Sequence, residues 1–309
     1  VHDSNTKGRK NPTYLIMDAW VKGIRSLTVI YHNTVNPATV EELTTAAEIM
    51  KICVRVGLEF RSVFGKKYAD FIWVPRGFAK AEDVVEFFKS APVRKVLQEG
   101  EKANAWYSEQ TYALLESFNQ NHLQEIKKHF GLPDIAPLSK ETFTEFVGAG
   151  RASRLHLADF IHKCLFEPMK ERAETLSASL ASMTEADRKA ALAQIEELNS
   201  LTSNKIYSDY LSAEKNPTVP DRDVPADDGR PLFLSMPILD HLKLVTDLRS
   251  GFRTTLQLTG LDAADVLEIL WDTHGLFTHL ERINLKEYNE GEVFDLERIG
   301  KIQYDLSLI

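Results

Sequence analysis

The sequence predicts a mixed α/β fold that is interrupted by a large helical insertion. Helical spacing alternates with short β-branched runs in the first ninety residues, and residues 81–211 carry almost only helical spacing. Short apolar runs return after residue 230. Alternating helices and strands are typical of β/α units, so the long helical stretch between two such regions indicates an insertion. The 309 residues suffice for one large barrel domain or for two smaller domains.

The N-terminal elements follow one another in the order helix, strand, helix, strand, strand. Thr13–Lys22 has helical spacing, Leu27–Tyr31 is a short β-branched run, and a second helix opens at Pro37. Val54–Phe60 and Asp70–Val74 are the second and third predicted strands. This order and spacing predict parallel β/α units.

Helices fill the middle of the chain, and strands return near its end. Apolar residues recur every three or four positions in Ala103–Phe130, Lys140–Val147, Leu155–Leu180 and Glu185–Leu198. A loop rich in Pro and Asp is predicted for Asn216–Arg230. Leu232–Ser235 and Thr254–Leu258 are predicted strands, and Phe277–Ile283 is either a strand or the tail of a helix starting at Asp262. We expect barrel segments at residues 1–100 and 216–309, with the helical insertion at 101–215.

Composition narrows the classes of function. The net charge is −8, and a negative protein is poorly suited to an extended nucleic-acid surface, which needs a basic patch. No apolar run approaches the roughly 20 residues that cross a membrane, and the chain start lacks the pattern of a signal peptide. Cys53 and Cys164 form no CxxC pair, which favours free thiols in a reducing compartment. The default expectation is a cytoplasmic protein.

Three short motifs near predicted strand ends suggest chemistry. His2 lies ten residues before Pro12 with Gly8 between them, one strand ends in Ile30-Tyr31-His32, and the next carries Gly57-Leu58-Glu59. This order and spacing resemble the PHP (polymerase and histidinol phosphatase) superfamily. In that superfamily a His-x-His pair, a Thr-Asp-His strand end and a Gly-x-Glu strand end follow one another.

Later motifs resemble the nucleotide-phosphatase branch of the same superfamily. They are Arg154-Leu155-His156-Leu157-Ala158, Tyr210-Leu211, Pro217-Thr218-Val219-Pro220 and the late segment 279–284. The resemblance spans most of the chain in scattered short motifs. It implies a PHP-type distorted (β/α)7 barrel, similar to a TIM barrel, with a large helical insertion.

The resemblance also implies a metal site made of His2, His32 and Glu59, with His32 and Glu59 as the catalytic residues. Imidazole and carboxylate groups suit Mn²⁺, Zn²⁺ or Fe²⁺. Such ions activate a bound water and clamp phosphate oxygens in phosphoester hydrolysis. Side chains at the carboxyl ends of parallel strands converge on one mouth, where we expect His32 and Glu59.

Several positions depart from the PHP pattern and predict a degenerate metal site. Lys7 and Tyr31 stand where the superfamily has aspartates, and expected histidines are replaced near Trp73 or Val74 and near Gln257-Leu258. A tyrosine supplies no negative charge at neutral pH, and a lysine beside a metal pocket repels the ion. No closing Asp-x-His is found.

Cationic residues are predicted to hold the substrate phosphate. The predicted substrate-binding residues are Lys7, Arg9, Arg61, Arg154 and His156. Lys10 and Arg76 also lie near predicted strand ends and could complete an anion-binding rim with Arg9 and Arg61. The expected ligand is a nucleotide or another small phosphorylated compound.

Two functional readings stay open. One is a metal-dependent phosphoesterase, in which His32 and Glu59 hold metal. The other is a non-catalytic PHP-like domain with a structural, regulatory or ligand-binding role within a larger protein, in which His32 has ordinary hydrogen bonds. The helical insertion either packs on the barrel or serves as an arm for a protein partner.

Overall fold

The fold is mixed α/β, as the sequence predicts. The computed structural model describes residues 1–6, 10–132, 135–148, 150–220, 224–226, 229–281 and 304. The chain divides into two compact units. One unit comprises Val1–Trp106 and Asp223–Ile309, and the other comprises Tyr107–Arg222.

The first unit holds every strand found among the described residues. Before the helical region the elements are α1 (Pro12–Val21), β1 (Ser26–His32), α2 (Pro37–Ile49), β2 (Cys53–Phe64), β3 (Lys67–Pro75), α3 (Ala81–Lys89) and the start of α4 (Ala91–Ser117). Asn11 and Asn36 cap α1 and α2, each followed by a proline that cannot donate to a preceding turn.

The strands form one sheet in the order β1-β2-β3-β4-β5, where β4 is Phe252–Gln257 and β5 is His279–Glu281. β1 pairs with β2 and β4 with β5 in parallel, whereas β3 is antiparallel to both β2 and β4. The parallel arrangement predicted for the N-terminal strands therefore holds for β1 with β2 and is wrong for β2 with β3. The two residues between them are too few for a crossover, and Gly65 adopts φ +57° in the tight turn. The described strands leave the sheet open, and the closed (β/α)7 barrel stays a prediction.

The end of the first unit corrects one predicted strand and confirms another. Leu232–Ser235 is a single helical turn, α10, rather than a strand. Pro231 and Pro237 flank it, and proline has no N–H group to donate to a β-ladder. The predicted strand at Thr254–Leu258 is β4, which α11 (Ile238–Thr246) precedes and α12 (Ala263–Asp272) follows. Of the ambiguous segment 277–283, residues 279–281 form β5, and residues 282–283 lie outside the described part.

The sheet has one apolar face and one polar face. Alternate strand residues such as Val29, Leu58, Phe60, Phe71 and Trp73 are fully buried on the apolar face, where α2 and α11 contact β2. The other side of the sheet, here called the polar face, carries the charged and most of the polar strand residues around a few apolar ones such as Ile30 and Val74: His32, Arg55, Glu59, Arg61, Asp70, Arg76, Arg253, Gln257, His279 and Glu281. The polar face therefore carries most of the charged side chains of the sheet.

The second unit is helical in its described residues, as the middle of the sequence predicts. It contains the end of α4, a π-helical turn (Phe118–His122), α5 (Leu123–Phe130), α6 (Lys140–Val147), α7 (Arg154–Ser179), α8 (Glu185–Ser200) and α9 (Ser203–Tyr210). α7 packs against α6, α8 and α9 around buried residues such as Phe143 and Leu165. No described helix in either unit is both long enough and apolar enough to cross a bilayer.

Candidate metal centre

The parallel register of β1 and β2 brings His32 and Glu59 together. The two residues are direct partners in the ladder, and His32 Nδ1 lies 3.3 Å from Glu59 Oε1. His32 is buried at the end of β1, as predicted. Glu59 lies inside β2 rather than at its end, because β2 continues into the hairpin with β3. The pair therefore lies on the polar face, at the carboxyl end of β1.

His2 joins the pair through backbone hydrogen bonds of its neighbour. The Val1 nitrogen donates to Thr28 O (3.1 Å) and Ile30 N donates to Val1 O (2.9 Å), the pattern of a parallel bridge. The His2 ring then stacks on His32, with ring centroids 5.2 Å apart and an interplanar angle of 18°.

A backbone carbonyl sets the tautomer of His2. Nδ1 of His2 lies 2.9 Å from Ile30 O, and a carbonyl oxygen can only accept. The proton therefore sits on Nδ1, and in the neutral ring Nε2 carries the lone pair. Metal-binding histidines commonly donate their second ring nitrogen in this way, which orients the ring and raises its basicity.

The donor set of His2, His32 and Glu59 fits one divalent ion. One ligand atom from each residue lies within 4.8 Å of the others. Two ligands of one ion with bonds of about 2.2 Å are at most about 4.4 Å apart, so small side-chain rotations suffice. Two imidazoles and one carboxylate match catalytic sites that keep a fourth position open for water or substrate.

A clamp that the sequence did not reveal supports the turn after His32. Asn104 Nδ2 donates to His32 O (2.8 Å), and Asn33 Nδ2 donates to Asn104 Oδ1 (2.9 Å). Asn33 adopts φ +60°, a conformation that asparagine tolerates better than most residues. At Gly100 a side chain would place Cβ 2.0 Å from Asn33 O, so only glycine allows this close helix contact. No sequence motif marks these residues, because their partners are about seventy positions away.

Asp3 is a further residue of the site region, and no sequence motif marks it. Its carboxylate is fully buried and accepts hydrogen bonds from Tyr31 Oη (2.6 Å) and Asn5 N (2.8 Å). Burial and the negative charge of Asp3 raise the pKa of Tyr31, so the phenol stays a donor. Successive strand residues point to opposite faces, so Tyr31 lies behind the sheet while His32 faces the site. Tyr31 therefore anchors the segment next to His2 and does not line the polar face.

The predicted anion rim is not assembled among the described residues. Lys7 and Arg9 lie outside the described residues. Arg61 makes a two-pronged ion pair with its cross-strand partner Asp70, with both N–O distances 2.8 Å. Lys10 pairs with Asp18 at 2.6 Å.

Arg154 and His156 lie at the start of α7 in the second unit. His156 Nδ1 donates to Arg151 O (3.2 Å), and burial lowers the pKa of His156. Arg154 lies over the Tyr207 ring, 5.4 Å from its centroid. Three of the late motifs meet there, because Arg154, Leu211 and Val219–Pro220 line one cavity of about 30 Å³. That volume holds about one water molecule and no nucleotide.

Comparisons with known proteins add a likeness of fold. No protein-family model matches the chain, and no curated protein matches its sequence. The chain is similar to the structure of a Bifidobacterium adolescentis protein assigned as a metal-dependent phosphoesterase, with TM-score 0.59 and 14% identity over 99% of this chain and 81% of that one. It is more weakly similar to a Chromobacterium violaceum amidohydrolase solved with bound sulfate and no metal, with TM-score 0.48 and 12% identity over 94% and 78% of the two chains. At 14% identity the first likeness shows a shared fold.

Proposed function

We propose that this protein is a metal-dependent phosphoesterase of the PHP type, acting on a nucleotide or another small phosphorylated compound. The observation that carries the proposal is the convergence of His2, His32 and Glu59 within 4.8 Å on the polar face. The fold shared with the protein assigned as a metal-dependent phosphoesterase supports it. On this proposal the described sheet is part of a distorted (β/α)7 barrel.

The three residues have separate roles in the proposed site. His2 presents Nε2 because its Nδ1–H is held by Ile30 O. The Glu59 carboxylate lies against Nδ1 of His32, which favours the tautomer that leaves the lone pair on Nε2, and it offsets positive charge in the site. A bound Mn²⁺, Zn²⁺ or Fe²⁺ would lower the pKa of a coordinated water and polarise the phosphoryl oxygens. His32 and Glu59 are the proposed catalytic residues.

Substrate binding in the first unit is assigned to Lys7, Arg9 and Arg61. Lys7 and Arg9 follow His2 in sequence and are proposed to meet the substrate phosphate. Arg61 lies two residues after Glu59 on the same face of β2. We propose that it contacts the substrate while it keeps its ion pair with Asp70. Arg154 and His156 are proposed as substrate-binding residues on the second unit, on the basis of their motif.

A non-catalytic PHP-like domain is the second candidate function. The observation that favours it is the pairing of Tyr31 with Asp3. Tyr31 replaces an aspartate of the PHP pattern, and the carboxylate bonded to it, Asp3, already accepts two hydrogen bonds. In this case the polar face would bind a ligand without hydrolysing it, and the helical second unit would provide a surface for a protein partner.

Metal analysis and a hydrolysis assay separate the two candidates. Purified protein should contain close to one equivalent of Mn, Zn or Fe by plasma mass spectrometry and should hydrolyse nitrophenyl phosphate when Mn²⁺ is added. The His32→Ala/Glu59→Gln double variant should lose both properties. Glu48→Gln is the matched control, because Glu48 is exposed on α2.

Three outcomes decide the matter. Metal and activity lost together in the double variant support the enzyme. Metal bound without hydrolysis supports the non-catalytic domain. Absence of metal, of activity and of any thermal shift with Mn²⁺ or Zn²⁺ would remove the phosphoesterase and leave the non-catalytic domain.

A further inference from the structure

A second charged cluster lies on the polar face, at the ends of the strands that point away from the candidate metal centre. Arg55 is four residues before Glu59 on β2, and Arg253 pairs with Val74, two residues before Arg76 on the same face of β3. Arg76 N donates to Gly251 O (2.8 Å), which continues the β3–β4 pairing to this edge. His279 opens β5 on the same face as the arginines. We call Arg55, Arg76, Arg253 and His279 the basic cluster.

The positive charge of the basic cluster is not neutralised within the described residues. Arg55 donates to Ser26 Oγ (3.4 Å) and Arg253 donates to Thr255 Oγ1 (3.3 Å), both uncharged acceptors. Nε of Arg76 is buried and has no acceptor among the described residues. Burial and the charges of Arg55 and Arg253 lower the pKa of Arg76. The cluster therefore combines mutual repulsion with an unsatisfied buried donor, an arrangement that an anion would relieve.

The backbone around Arg76 is held in place. Arg249 donates through Nε to Arg76 O (2.5 Å) and through Nη2 to Gly77 O (2.6 Å). The same guanidinium stacks on Phe78, 3.9 Å from the ring centroid. The cluster is thus built on rigid strands and a fixed turn, which suits a site for a small ligand.

An apolar layer separates the basic cluster from the candidate metal centre. Ile30 and Val74 are buried between the two edges of the polar face. They fill the space above Gly57, where a Cβ would lie 2.8 Å from Ile30 Cδ1 and 2.9 Å from Val74 Cγ2. Arg55 and His279 are exposed, so solvent reaches the cluster from its own edge.

We propose that the basic cluster is a second binding site, which takes a phosphate-bearing anion. Guanidinium groups present planar forks of N–H donors that match the oxygens of a phosphate group. Free inorganic phosphate and the phosphate group of a nucleotide share this chemistry. The proposal is independent of the proposed phosphoesterase activity, because none of its residues belongs to the metal centre.

Calorimetric titration with sodium phosphate in EDTA tests the site. We expect one phosphate per chain, at constant ionic strength set with sodium chloride. Arg76→Gln and Arg253→Gln should each weaken binding at least tenfold. Arg94→Gln, which changes an exposed arginine of α4, should bind as the wild type does. If adenosine monophosphate binds tenfold more tightly than inorganic phosphate, the ligand is a nucleotide. If the two bind with equal affinity, the ligand is free phosphate.

Thermal melting gives a second readout. In chloride alone both variants should melt no lower than the wild type, because each removes one of several like charges. In phosphate the wild type should gain more stability than either variant. Phosphate binding that persists in both variants, or that is lost in Glu59→Gln, would overturn the proposal. So would the absence of phosphate-specific binding, or a variant that melts lower in chloride.

Discussion

Two buried histidines on opposite faces of the sheet show what separates a candidate ligand from a packing residue. His32 is 6% exposed and lies 3.3 Å from the Glu59 carboxylate, with His2 stacked on its ring. His241 is 0% exposed and lies 2.8 Å from Ser62 Oγ. The rings of Phe60, Phe71 and Phe233 surround it at centroid distances of 4.2–5.4 Å.

The difference teaches that burial alone does not make a histidine functional. Burial lowers the pKa of His241 to about 3, so its ring is neutral, and the three phenylalanine rings around it cannot bind a metal ion. His32 is nearly as buried but lies beside two further side chains, His2 and Glu59, that could bind the same metal ion. Glu59, which contacts His32, and Ser62, which contacts His241, are three positions apart on β2. Because this number is odd, their side chains point to opposite faces of the sheet.

The largest expected effect comes from removing the carboxylate beside His32. Glu59→Gln should lower Mn²⁺ affinity more than about 100-fold, since even outer-shell partners of metal ligands typically account for 10–100-fold. Titration calorimetry measures the loss. Ser62→Ala is the matched change beside His241 and should leave Mn²⁺ affinity intact. Equal losses in the two variants would contradict the distinction between the two faces.

The hydrogen bond between Tyr31 and Asp3, behind the polar face, should have the next largest effect. Tyr31→Phe leaves the buried Asp3 carboxylate with one donor fewer, so we expect a loss of about 1.5–3 kcal/mol in the free energy of unfolding. Urea unfolding measures it. The double variant Tyr31→Phe/Asp3→Asn should recover part of the loss, because it also removes the buried charge. Failure of Asp3→Asn to compensate would show that the Tyr31–Asp3 bond is not the cause.

His241 should make the protein acid-sensitive. Its pKa falls from 6.5 to about 3 on folding, so below pH 6.5 the unfolded chain takes up a proton that the folded chain does not. Stability is therefore lost as pH falls from 6.5 toward 3, by roughly 1.4 kcal/mol per pH unit, or roughly 2 kcal/mol by pH 5. Urea unfolding of His241→Phe should show a flatter pH dependence over this range.

A matched histidine variant controls for other titrating groups. His274 is exposed and adopts φ +50°, which asparagine tolerates, so His274→Asn should keep the pH dependence of the wild type. The same slope in His241→Phe and the wild type would assign the acid sensitivity to other residues.

The smallest effect concerns the clamp on the turn after His32. Asn104→Ala removes the hydrogen bond to His32 O and should lower the free energy of unfolding by about 1 kcal/mol. Lys95→Ala on the same helix changes an exposed residue and should leave stability unchanged within about 0.5 kcal/mol. If the two variants unfold at the same urea concentration, the clamp does not support the site.

Sequence reasoning located most elements because their signals are local. Apolar spacing and the capping asparagines define α1 and α2, and β-branched runs define β1 and β3. It failed at Leu232–Ser235, where an apolar run of four residues is compatible with either a strand or a helical turn. It also failed at the β2–β3 hairpin, where no helix separates the two strands.

The sequence predicted the candidate metal ligands of the site but not the residues that hold them in position. His2, His32 and Glu59 stand out by motif spacing, and the structure brings these three together. Asp3, Asn104 and Gly100 carry no motif, because their roles depend on contacts with residues far away in the sequence. Arg76 was expected on the rim of the site, yet strand direction places it at the opposite edge.

The sequence by itself determined where most helices and strands form and which residue types stand near strand ends. Propensity, capping and periodicity act over a few residues and can be read along the chain. Only the tertiary structure decided that His32 meets Glu59, that Tyr31 faces away from them, and that Arg55, Arg76 and Arg253 share one edge. Those outcomes depend on strand register and direction, and a register shift of one residue would move every side chain to the other face.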